Sequence, residues 1–208
     1  MTYSPDERAS IKRKIAEVCS AQIAEMGLEK VSARSVAKGM RKTVGWLYTM
    51  YEDFGEIINA ANSMTLKELN DALRHNGSGQ GSMQAADKLS AFANSYLVFA
   101  RKHPERCAAL LAPMPISQAL HPALDTGFQS LVSHLKAPLA QIMPEIDGET
   151  INATAKTVLT ALHAIVLLDH PNRPAYSRDV AVDDQLRSFV KAIAAGYSAL
   201  RTDELAGR

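Results

Sequence analysis

The stretch that decides how this chain is read is Lys30-Val-Ser-Ala-Arg-Ser-Val-Ala-Lys-Gly-Met-Arg-Lys-Thr-Val-Gly-Trp-Leu-Tyr-Thr-Met-Tyr51. Its 22 residues hold five cations, Lys30, Arg34, Lys38, Arg41 and Lys42, and no acidic residue. The whole chain of 208 residues carries a net charge of only +1, so this is a local basic patch and not a basic protein. The apolar spacing reads as two short helices, about 32–39 and 43–51, with a few residues between them. Those are the proportions of a helix-turn-helix, whose second helix enters the major groove and offers its first residues to base edges. Thr43 is placed to cap that second helix, leaving its first amides free to face phosphate. Gly45 lets backbone come close to a partner, and the Tyr48 hydroxyl can donate to a phosphate oxygen. The candidate DNA-binding residues are therefore Ser32, Arg34, Lys38, Arg41, Lys42, Thr43, Val44, Gly45, Trp46 and Tyr48.

Working outward, the helical period continues to both ends. Ser4-Pro5-Asp6-Glu7 has capping-box spacing with proline at the first helical position, and Ile11, Ile15, Val18, Cys19, Ile23 and Met26 then share a face up to Gly27. Asp53-x-x-Glu56 opens a helix expected to reach about His75, before the loop 76–82. Beyond it Leu89, Phe92, Ala93, Tyr96, Phe99 and Ala100 line one face until His103-Pro104 breaks the helix. A short helix to about Leu111 and one from Ser117 to Met143, kinked at Pro122 and Pro138, come next. Two stripes end the chain, Ile151 to Val166 and Val182 to Leu200. No segment alternates like a strand. The expected fold is all-α, about nine helices, with a three-helix DNA-binding head at 1–53 and a helical ligand-binding and dimerisation bundle at 54–208.

Several classes of function are argued against. Cys19 and Cys107 stand far apart in apolar surroundings, the pattern of buried free thiols and not of a disulfide framework or zinc site. Among the six histidines no His, Asp or Glu pair has the i, i+4 ligand spacing in a convincing context, so no metal is expected. No nucleophile elbow, phosphate loop or dinucleotide fingerprint occurs, and neither an enzyme nor a cofactor is expected. The polar N-terminal segment has no signal-peptide pattern, and the longest apolar run, Ala161 to Leu168 interrupted by His163, is too short to cross a bilayer. A cytoplasmic location is the expectation.

The run Gly27-Leu-Glu-Lys-Val31-Ser-Ala-Arg-Ser-Val36-Ala37-Lys38, followed by Thr43-Val-Gly45-Trp-Leu47-Tyr48-Thr-Met-Tyr51, resembles the N-terminal signature of the TetR family of transcriptional regulators. The resemblance covers roughly residues 5 to 62. It departs at Met40-Arg41-Lys42, where the family has alanine, glycine and a small apolar residue, and at Phe54, where a lysine is usual. Arginine takes the left-handed conformation of the turn glycine less readily, and Lys42 must reach outward if the turn is kept. Farther on, Phe99-Ala100-Arg-Lys-His103-Pro104 and Leu162-His163-Ala164 look weakly like the Trp-His-Gly sensor subgroup. The resemblance implies a homodimer through the last two helices, a near-palindromic double-stranded DNA operator, and a small-molecule effector that releases it, as in a repressor. Tyr96, Phe99, His103, Met114, Phe128, Met143 and His163 are the candidate ligand-binding residues. Apolar neighbours with few polar groups and no arginine suit a small apolar effector. The competing reading is an all-helical ligand-binding or interaction protein with a degenerate DNA-binding head.

Overall fold

The computed structural model describes residues 3–77, 83–112, 121–170 and 181–206, and among them it has nine α-helices, one 3-10 turn and no strand. The all-α expectation holds. The helices are α1 (Pro5–Met26), α2 (Ala33–Gly39), α3 (Val44–Met50), α4 (Phe54–Gly77), α5 (Ala85–Lys102), α6 (Pro104–Leu110), α7 (Pro122–Ile142), α8 (Gly148–Leu167) and α9 (Val182–Ala206). Met114 and positions 117–120, where a helix was expected to begin, lie outside the described residues. Pro122 is not a kink inside a longer described helix; it is the first residue of α7, where its missing N–H costs nothing.

The chain divides into two compact units, one of residues 1–68 with 103–127 and the other of residues 69–102 with 128–208. In the first, α1 starts on a complete capping box: Glu7 N–H donates to Ser4 Oγ (3.2 Å) and Ser4 N–H to Glu7 Oε2 (2.8 Å). It stops at Gly27, whose φ of 81° lies in the region that favours glycine. Ile15, Cys19 and Ile23 from α1 meet Val36 and Ala37 of α2, Leu47 and Met50 of α3, Ile57 and Ala61 of α4, and Ala109 of α6. Each large aliphatic side chain buried there contributes about 1.5–3 kcal/mol. Phe54 packs partly buried against this core, so the residue standing in place of a lysine serves packing. α6 is fixed to α4 by polar contacts: Arg106 grips Glu68 with two bonds of 2.9 Å and Thr65 Oγ1 with one of 3.1 Å, and Asn62 Nδ2 donates to the Ala109 carbonyl (3.2 Å). Burial pushes the Cys19 and Cys107 thiols up to about 12, so both are inert neutral groups.

The second unit is a bundle of the last turns of α4 with α5, α7, α8 and α9. Leu69, Leu89, Phe92, Tyr96, Leu97, Leu131, Leu135, Leu139, Ile151, Ala155, Leu159, Leu162, Leu186 and Val190 form its buried core. Arg101 at the end of α5 ties two helix ends together. Its Nε reaches Asp169 Oδ2 (2.7 Å) just past α8, and its Nη1 reaches Asp183 Oδ1 (3.1 Å) in the first turn of α9.

Candidate nucleic-acid interface and sensor residues

The basic segment folds as its spacing suggests. Ser32 caps α2 through a reciprocal pair with Ser35 (3.2 and 3.0 Å), and Ser35 is held to α1 by donating to Gln22 Oε1 (2.8 Å). Thr43 caps α3, accepting from the Trp46 amide at 3.2 Å. Between the helices, the Lys42 amide donates to the Ala37 carbonyl and the Arg41 amide to the Lys38 carbonyl, at 2.9 and 3.0 Å. That double bond pattern is a Schellman cap, which needs a left-handed residue just past the helix. Arg41 supplies it, at φ 55°, the one non-glycine residue with positive φ among those described. The turn geometry of a helix-turn-helix is thus kept with arginine where glycine would be easiest. Lys42 does reach outward, its ammonium 5.3 Å from the centre of the Trp46 ring.

Lys30, Arg34, Lys38, Arg41, Lys42, Gly45 and Tyr48 all show on this surface, as do Ser32 and Thr43 at their caps. Val44 and Trp46 pack partly against the core. The Trp46 ring N–H donates to the Tyr3 hydroxyl (3.3 Å), and Arg8 donates to the Thr49 carbonyl (2.6 Å), pinning the end of α3 to α1. Tyr3 and Arg8 were not singled out from the sequence, because both partners lie about forty residues away and no local pattern joins them. A Cβ added at Gly45 would meet nothing within 4 Å, so nothing in the chain itself requires glycine there.

Of the sensor candidates, Tyr96, Phe128 and His163 come together. The Tyr96 oxygen lies 2.6 Å from His163 Nδ1, the two rings meet edge-on at 5.3 Å, and Phe128 closes on the imidazole at 6.0 Å. Burial pushes the His163 pKa down to about 4, so the ring is neutral at physiological pH. Phe99 and Met143 are buried in the same unit, whereas His103 falls in the other, at the start of α6. Met114 lies outside the described residues. No group of three or more metal-ligating side chains occurs among the described residues. Along α8 and α9 runs an open groove of about 440 Å³, lined by Ala153, Thr157, Val158, Ala161, Phe189 and Ile193 among others.

No protein-family description and no curated protein matches the sequence. Solved structures do match the fold. A possible TetR family transcriptional regulator from Streptomyces coelicolor A3(2) superposes with a TM-score of 0.66 at 12% identity, over 91% of this chain and 99% of that one. BioQ with its double-stranded DNA operator superposes with a TM-score of 0.66 at 12% identity, over 90% and 98%. The chain has the TetR fold. The TetR family regulator PfmR from Thermus thermophilus aligns as well, with a TM-score of 0.58 at 17% identity over 88% and 97%. At such identities the TetR fold is what is shared, and the side chains above are this chain's own.

Proposed function

We propose that this protein is a ligand-responsive transcriptional regulator, a repressor that binds a near-palindromic double-stranded operator as a homodimer and leaves it when a small apolar effector binds. The observation that carries the reading is the helix-turn-helix at 33–50, with five surface cations and no carboxylate between Lys30 and Tyr51. The head corresponds to residues 1–53 and the remainder to sensing and dimerisation. Lys38, Arg34 and Tyr48 are assigned to phosphates, Thr43 and Val44 to base edges, and Gly45 to the closest backbone approach. The α8 and α9 groove supports the dimer, since it leaves Phe189 and Ile193 open to a second copy. The neutral Tyr96–His163 pair beside Phe128 supports an apolar effector with one or two hydrogen-bonding atoms.

A gel-shift with the protein's own upstream DNA over a salt series tests this. Log affinity should fall linearly with log salt, with a slope of several units for a dimer. Lys38→Ala and Tyr48→Phe should weaken binding on every sequence alike, while changes at Thr43 or Val44 should alter the preference between sequences. Absence of any salt-dependent binding at low ionic strength overturns the proposal and leaves a helical ligand-binding protein with a degenerate head.

A further inference from the structure

A second cavity, of about 190 Å³, opens in the sensor unit between the last turns of α4, α5 and α7. Leu73, Ala91, Phe92, Ala137 and Pro138 give it apolar walls, and its polar lining is Lys88, Ser95 and His134. Two features make the His134 position polar in a way the fold does not use. The buried Nε2 of its imidazole has no hydrogen-bond partner among the described residues. Pro138, the proline inside α7, has no N–H to give to the His134 carbonyl four residues earlier. A buried polar atom left unpaired is destabilising, and a ligand hydrogen bond would relieve that cost. Lys88 is the charged residue of the described lining, its ammonium only loosely placed on Gln141 Oε1 at 3.4 Å. Burial, together with the charge of Arg74, lowers the imidazole pKa; Arg74 lies outside the lining and pairs with Asp71 at 3.3 Å. No carboxylate is among its described lining residues. The Phe92 ring stands 6.2 Å from the imidazole, tilted by 43°, so one wall is aromatic. The volume falls below the roughly 300–1,000 Å³ typical of drug-sized ligands, so the occupant must be small.

We propose that this cavity binds a small aromatic carboxylic acid bearing a hydroxyl group, with the carboxylate on Lys88, the ring on Phe92 and Pro138, and the hydroxyl at His134. The assignment rests on the sensor reading only for what binding does to DNA; binding itself stands on the cavity. Within the sensor reading, the aromatic ring would be the apolar body of the effector and the carboxylate and hydroxyl its hydrogen-bonding groups.

Titration calorimetry of the full chain with 4-hydroxybenzoate at neutral pH is the test. Saturable one-site binding is expected, at least about tenfold tighter than 4-hydroxybenzamide, which lacks the charge, or benzoate, which lacks the hydroxyl. Lys88→Gln, on the half-exposed rim, should weaken binding about tenfold with circular dichroism unchanged. His134→Phe should remove the preference for the hydroxylated acid over benzoate. A flat titration at ligand concentrations on the order of 1 mM, equal binding of the amide, or an unchanged Lys88→Gln variant overturns the proposal. A parallel gel-shift with the same ligand keeps the two readings apart. Binding in the calorimeter without release of DNA leaves the cavity assigned and counts against the ligand-released repressor.

Discussion

At Arg41 the backbone and the side chain have different optima. A left-handed conformation costs a non-glycine residue roughly 1 kcal/mol, yet the exposed guanidinium adds a cation to the surface assigned to DNA. Arg41→Gly is therefore expected to raise stability by up to about 1 kcal/mol in urea unfolding while weakening DNA binding. Gly45 presents the mirror case: a glycine in a helix, with open space where a Cβ would go. Gly45→Ala should stabilise the fold by about 0.5–1 kcal/mol and still reduce operator affinity, because the crowding it creates arises only against a partner. If either variant bound DNA better than the parent, these residues would not face the groove. His163 titrates in the opposite sense from a paired histidine. Its folded pKa of about 4 lies below the ordinary value of 6.5, so between those two pH values the unfolded chain takes up a proton that the folded chain refuses. Its contribution to stability is complete above the unfolded pKa and is lost as pH falls toward the folded one, by roughly 3 kcal/mol in all. In His163→Leu the urea midpoint should depend less on pH across that window; an unaltered dependence would mean that the imidazole is free to protonate in place.

At the scale of elements, the sequence was legible wherever a local rule governs. The Ser4 capping box, the Thr43 cap and the Asp53–Glu56 helix start are all present, the last with Glu56 N–H donating to Asp53 Oδ1 at 2.8 Å. Ends set by tertiary contact were not legible. Pro122 was expected to bend a helix and instead starts one, because proline alone does not say which side of a boundary it occupies. Arg106, which joins α6 to α4, and Tyr3, which meets Trp46, carry no periodic signal at all. Of the candidate site, the cations were plain from charge alone, while the Tyr96–His163 pair needed the packing of two helices around residues 67 positions apart. The approach of α7 to α4 belongs to this second kind. Gly127 lies so close to Leu66 that a Cβ there would collide with the leucine side chain. Gly127→Ala should cost about 1–3 kcal/mol by overpacking, despite the better helix propensity of alanine. Thermal melts give the sign: a raised Tm would show that Leu66 moves aside freely.

At the scale of the whole molecule, the regulator proposed above has one helix-turn-helix per chain, which would reach a single half-site. Useful affinity would then depend on pairing two copies with their recognition helices about one DNA turn, ~34 Å, apart. The face available for pairing is read from burial. α8 has a mean hydropathy of 1.3 over its most apolar window, high enough for a membrane-crossing helix, yet only 33% of that window is buried within the chain. Its buried side, Ile151, Ala155, Leu159 and Leu162, faces its own bundle, while Ala153, Thr157 and Ala161 line the open groove with Phe189 and Ile193 of α9. A two-fold pairing would set the same groove against itself and cover those residues on both copies. Ile193→Glu should then place a charge in the interface without touching the core. Light scattering at micromolar concentration should show a dimer for the parent and a monomer for the variant, with equal helicity by circular dichroism. Because a monomer engages roughly half as many phosphates, the salt slope of its DNA binding should fall by about half, and affinity with it. A parent that is monomeric, or a variant that remains dimeric with unchanged salt slope, would remove α8 and α9 from the assembly and require another route to two half-sites.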